Sequence, residues 1–154
     1  MDRKKNIFDK IGSLIPGYRG YAEREGRRQC DKIMREEISS KLNSIEKLLE
    51  ARIETIIAEK NYKEMNDFEK CRKKLNTISS KIKFAPYGNS GFFSDAQIKE
   101  TELMEVYQKD MALLEIAKQL ETNIKNCKQA EITITIEQFE TLLENRNQFI
   151  KEYK

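Results

Sequence analysis

Between Cys30 and Ile56 the chain places apolar side chains at positions 30, 34, 38, 42, 45, 49, 53 and 56, seven steps over 26 residues. A strand alternates with a period of two, whereas only a helix brings positions three and four apart onto one face. The mean step of about 3.7 is close to an 11-residue repeat, so the stripe runs nearly straight or with a slight right-handed twist. The predicted helix extends from about Tyr21 to about Lys60, on the order of 60 Å at 1.5 Å per residue. A helix of that length is stabilised chiefly by burying its stripe on a neighbour, not by propensity. The fold class that follows is all-α: an elongated antiparallel helical bundle built on a long hairpin.

The other segments fit that frame. Residues 1–16 form an amphipathic leader, with Ile7, Phe8, Ile11, Leu14 and Ile15 on one face and Lys4, Lys5, Asp9 and Lys10 on the other. Pro16-Gly17 ends it. The hairpin occupies 18–83. Its turn is expected near Asn61–Asn66, with Asn66 and Glu69 as a capping box or the turn nearer Asn61. Phe68, Cys71, Leu75, Ile78 and Ile82 then step 3, 4, 3, 4 as a heptad seam. Residues 84–94 are a Gly/aromatic loop. A helix over 95–126 is expected to start at a Ser94/Gln97 capping box, with Leu103, Tyr107, Met111, Leu114, Ala117, Leu120 and Ile124 as its stripe. Ile132, Ile134 and Ile136 alternate with polar residues, which predicts a brief extended segment before the last helix, within 132–153. There is no linker, so 1–154 reads as one domain.

Missing residues narrow the chemistry. The chain has no histidine, which removes the commonest general base and the commonest zinc ligand. Cys30, Cys71 and Cys127 are widely spaced and odd in number, a pattern of reduced, core-packing thiols in a cytoplasmic protein. Phosphate-binding and nucleophile-elbow motifs do not occur. No apolar run approaches the ~20 residues of a membrane span, and charge interrupts the N-terminus too early for a secretory signal. No enzyme, cofactor or metal site is expected.

Three features could carry function. The leader, through Ile7, Phe8 and Ile11, could fold back on the bundle, meet a protein partner, or lie on an anionic membrane. The Gly/aromatic elements holding Tyr18, Arg19 and Tyr21, and Tyr87, Phe92 and Phe93, come to the same end of the bundle if the hairpin is antiparallel. There they either plug that end or present a binding surface. The third feature is charge. Residues 96–154 hold 8 Lys/Arg against 11 Asp/Glu, net −3, so with the whole chain at +3 residues 1–95 carry +6. Lys70, Arg72, Lys73, Lys74, Lys81 and Lys83 have no acid between them. They either face acidic Glu100, Glu102 and Glu105 or form an anion-binding face. A net charge this mild argues against nucleic acid as the main partner.

The stretch from Gly17 to Arg28 resembles a small bacterial family whose members share G-Y-x-G-Y-x-x-R-E-x-R-R after a short amphipathic helix ending in Pro-Gly. The family also has a Tyr-Gly-x-Ser-Gly-(Leu/Phe)-Phe loop, matched by Tyr87, Gly88, Ser90, Gly91, Phe92 and Phe93. The resemblance runs to about residue 125 and implies a bacterial, cytoplasmic, all-helical protein; it transfers no catalytic residue. Cys30 stands where a small residue such as alanine is expected, in keeping with packing. A weaker architectural likeness is to phage-shock and membrane-remodelling helical proteins. The expected function is a non-enzymatic scaffold acting through a protein partner or self-association. The alternatives are peripheral membrane binding through the basic amphipathic N-terminal helix and nucleic-acid binding through the Lys70–Lys83 face.

Overall fold

The computed structural model describes residues 6–84, 90–94, 97–126 and 129–153. Among them are five α-helices and no strand: α1 (Ile7–Leu14), α2 (Arg27–Ala58), α3 (Tyr62–Lys83), α4 (Glu100–Asn126) and α5 (Gln129–Glu152). Asn6 caps α1 by accepting the Asp9 N–H at 2.8 Å. After Ile15 the chain reverses at Gly17, whose φ of +85° suits glycine. A strap, residues 15–26, then leads through a short 3₁₀ turn, Arg24–Gly26, into α2.

Helices α2 to α5 form a four-helix bundle, each packed on two neighbours: α2 on α3 and α4, α5 on α3 and α4. α2 and α3 are an antiparallel hairpin, as are α4 and α5. Cross-contacts fix the relation between the hairpins. Near one end Arg146 of α5 binds both Asp31 of α2 and Asp110 of α4. Near the other, Arg52 of α2 donates to the Ile124 carbonyl of α4 at 3.0 Å. So α2 runs parallel to α4, and α3 parallel to α5. The chain passes diagonally from α3 to α4 at the end that also holds the strap, called here the upper end. α1 packs on α4 at that end, with Phe8 5.4 Å from the Tyr107 ring.

The seams supply the core. Met34, Leu42, Leu49, Phe68, Leu75, Leu120 and Phe139 are fully buried. Each such side chain contributes about 1.5–3 kcal/mol relative to exposure. Cys30 and Cys71 are buried thiols; Cys127 lies outside the described residues.

Several boundaries differ from the sequence reading. α2 starts at Arg27, not Tyr21, because residues 18–21 dip into the core as strap. The cap of α3 is Asn61, which accepts the Glu64 N–H at 3.2 Å while its amide donates to the Glu64 carboxylate. Glu69, assigned to a capping box, instead pairs with Arg72. Ser94 does not cap α4. Its hydroxyl donates to the Gly91 carbonyl, and α4 begins at Glu100. No extended segment occupies 132–136. α5 already runs from Gln129, with Ile132 and Ile136 buried one turn apart and Ile134 exposed. Tertiary packing of that i,i+4 pair overrides the β-branched composition. Basic α3 lies on α2 and α5, so the acidic start of α4 is diagonal to it.

Candidate functional site: a buried charged cluster beneath the strap

Asp31, Asp110 and Arg146 are each at most 2% exposed. One Asp110 oxygen accepts the hydroxyls of Tyr18 at 2.8 Å and Tyr21 at 2.6 Å. Its other oxygen accepts Arg146 Nε at 2.5 Å. Arg146 also reaches the Tyr21 hydroxyl at 3.0 Å and Asp31 at 2.9 Å. Asp31 accepts in turn from Arg35 Nε at 2.9 Å, and Arg35 donates to the Lys83 carbonyl at 3.2 Å. Two carboxylates and two guanidinium groups balance in charge, and the chain of bonds joins α2, α3, α4, α5 and the strap. Burying such ions is tolerable only because each is paired and hydrogen-bonded.

The strap is held on both sides. The Tyr21 N–H donates to the Tyr107 hydroxyl at 3.0 Å, and Arg27 Nε donates to the Tyr21 carbonyl at 2.9 Å. Arg27 also reaches the carbonyls of Phe92 and Ser94, tying the strap to the second aromatic element. Gly20 is required here. Its φ is +83°, and an added Cβ would overlap the Tyr107 hydroxyl and lie 2.8 Å from Phe8 Cε2.

Burial governs the electrostatics. It raises the Tyr18 and Tyr21 phenols well above their ordinary range, with the Asp110 charge acting the same way. Burial also raises Tyr107 and pushes the Cys30 thiol up to about 12, helped by Asp110. Burial followed by the Glu102 hydrogen bond takes Tyr153 to about 12. Arg27 is lowered, first by desolvation. The phenols and the Cys30 thiol therefore stay neutral at neutral pH. The cluster is a closed set of donors and acceptors that holds the strap in one place.

The predicted interaction residues divide by burial. Ile11, Tyr18, Tyr21 and Phe92 are buried; Ile7, Phe8 and Phe93 are half-buried against the core; Arg19 is exposed. The two Gly/aromatic elements meet, with the Tyr21 and Phe92 rings edge-to-face at 5.2 Å. Tyr87, Lys4 and Lys5 lie outside the described residues. In the basic set, Lys70, Lys73, Lys81 and Lys83 are exposed and Lys74 is half-buried. Arg72 points back to Glu46 at 3.1 Å and to Glu69, and Lys83 sits 5.7 Å from the Phe84 ring centroid. Helical spacing places Lys70, Lys74 and Lys81 along one line and turns Arg72 and Lys83 to the other side.

Asp31, Asp110 and Arg146 are not among the residues the sequence singles out, yet each occupies a seam position. Tyr107, Asp110 and Leu114 step 3 and 4, as do Leu143, Arg146 and Ile150; Arg27, Asp31, Met34 and Ile38 step 4, 3, 4. A charge at a heptad core position is the available signal.

Grooves elsewhere are open. A trough of about 490 Å³ between α2 and α4 is lined by Leu14, Ser44, Ile45, Leu114, Ala117 and Lys118, among others. A serine- and asparagine-lined groove of about 420 Å³ runs between α2 and α3. Among the described residues no group of three or more His, Cys, Asp or Glu could hold a metal ion, and no helix is long and apolar enough to cross a membrane. Compared with known proteins, the chain matches no family model, no curated protein and no solved structure.

Proposed function

We propose that the chain is a non-enzymatic helical interaction protein, a scaffold whose outer helix faces meet another protein surface. One observation carries the reading: the converging ionisable groups are spent on one another. Asp31, Asp110, Arg146, Tyr18 and Tyr21 are all at most 5% exposed and mutually bonded, whereas each open groove holds a single carboxylate, Glu121 or Glu36, among serine, lysine, amide and apolar side chains. Catalysis needs ionisable groups within reach of a substrate atom, while a scaffold needs rigid helices with accessible faces.

Crosslinking of the full chain through its lysines in intact cells, followed by mapping of the joined peptides, tests this. Intermolecular links at discrete mass, from lysines of the outer helix faces, are expected. Intrachain links alone would overturn the reading.

A second reading has its own observation, the line of Lys70, Lys74 and Lys81 on α3, with Lys70 and Lys81 exposed and Lys74 half-buried. It predicts binding to anionic vesicles or polymers that weakens with salt. No binding at low ionic strength rejects it.

A further inference from the structure

We infer that the groove between α2 and α3 is a binding site for a neutral polyhydroxyl ligand, a sugar of one or two rings. This goes beyond the interaction reading. The base of the groove is polar where a helix seam is ordinarily apolar: Ser39 and Ser79, 8% and 6% exposed, face each other across the two helices. Their hydroxyl oxygens lie 2.9 Å apart, and Ser79 Oγ donates to Asn43 Oδ1 at 3.2 Å. A serine has one proton to give, so Ser39 donates to Ser79. This relay fixes which groups are left for a ligand. Asn43 is held by its oxygen and presents its N–H donors, while Ser39 Oγ keeps its acceptor lone pairs. On the opposite wall the Asn76 amide nitrogen donates to Glu46 at 3.4 Å, which leaves Asn76 Oδ1 as an acceptor. Both asparagines are exposed.

That inventory selects the ligand's chemistry. An anion calls for donors and a cation for acceptors. Here donors and acceptors share a volume of about 420 Å³, which suits a group that both gives and takes hydrogen bonds, the hydroxyl. Formal charge agrees, since the charged residues lining the groove are one of each sign, Glu36 and Lys83. An apolar surface completes the site. Phe84 lines the upper end of the groove and, with Lys83 5.7 Å from its ring centroid, is still 74% exposed. The negative face of an aromatic ring attracts the polarised C–H groups on one side of a sugar ring. Between residues 36 and 43, α2 rises about 10.5 Å, the length of a disaccharide. The volume lies within the roughly 300–1,000 Å³ of small-molecule sites.

Nuclear magnetic resonance titration of the full chain with maltose, cellobiose and lactose, and separately with inorganic phosphate and putrescine, tests the assignment. At least one disaccharide should shift the Asn43 and Asn76 side-chain amide signals and the Phe84 ring signals saturably, while phosphate and the diamine leave them in place. Phe84→Ala, a change at an exposed side chain, should weaken binding about tenfold or more, and Phe84→Tyr should retain it. Asn43→Ala should weaken binding by a similar factor. If Asn43→Ala unfolds the chain, Ser80→Trp takes its place, filling the groove from an exposed position, and should block binding. No response to any of the three sugars overturns the inference. So does saturation of the same signals by phosphate or putrescine, or sugar binding that Phe84→Ala leaves unchanged.

Discussion

The two ends of the bundle are closed by different physics. At the lower end, around the α2–α3 turn, Ile53, Ile56, Phe68, Ile124 and Ile132 are buried. The polar contacts there are mostly uncharged, such as Asn123 donating to the Thr135 hydroxyl at 2.8 Å, and Arg52 lies 5.2 Å from the Phe68 ring centroid and donates to the Ile124 carbonyl. At the upper end a charge-balanced cluster of Asp31, Arg35, Asp110 and Arg146 sits in the core under two tyrosines. Apolar packing closes the lower end with little directional demand. The upper cluster is directional: it accepts the strap in one register, because only there do Tyr18 and Tyr21 both reach Asp110.

The difference should show most strongly in matched arginine substitutions. Arg146→Met leaves Asp31 and Asp110 buried without their shared cation and should cost about 3–5 kcal/mol. Arg52→Met at the lower end removes one charged hydrogen bond near the surface and should cost about 1–2 kcal/mol. Urea unfolding of both variants checks this; equal costs would break the contrast between the ends.

A second, smaller effect separates glycines within the upper end. Gly20→Ala adds a Cβ at positive φ against Tyr107 and Phe8 and should destabilise by about 1–3 kcal/mol. Gly26→Ala, with no atom within 4 Å of the added Cβ and no positive φ, should be neutral or stabilise by up to about 1 kcal/mol. Thermal melts of the pair would show whether the strap's path, and not glycine content, sets the sensitivity.

A third effect lies in alkaline stability. Burial raises Cys30 from 9.0 to about 12 and raises Tyr18 and Tyr21 above 10.0. Groups whose folded pKa exceeds the unfolded value contribute stability that is intact below the unfolded pKa and lost as pH climbs through the folded one. The melting temperature should therefore hold up to about pH 9 and fall toward pH 12, with Cys30→Ala removing part of the slope. A melting temperature flat across that window would contradict this ionisation pattern.

The same contrast explains what was legible in the sequence. Helices closed by apolar packing were readable, since periodicity alone marks Leu42, Leu49, Leu75 and Leu120 as core. The upper end was less so. A buried Asp110 looks like any solvated carboxylate until its partner is known, and Arg146 lies 36 residues away along the chain. Met111 fits the stripe by spacing, yet Asp110 is the buried neighbour and Met111 only half-buried. The alternation of Ile132, Ile134 and Ile136 misled because three residues fit a strand and one helical turn equally well. That residues 18–21 belong to a strap depends on hydrogen bonds to α4, which no local pattern encodes.

Amide hydrogen exchange on Arg146→Met tests most directly whether the cluster holds the strap. In the wild type the Tyr21 N–H, bonded to the Tyr107 hydroxyl, should be protected. In the variant, protection should fall across residues 18–27 and α1 while amides near Ile53, Ile56 and Phe68 exchange as before. Uniform loss over the whole bundle, or a strap as protected as in the wild type, would contradict the account.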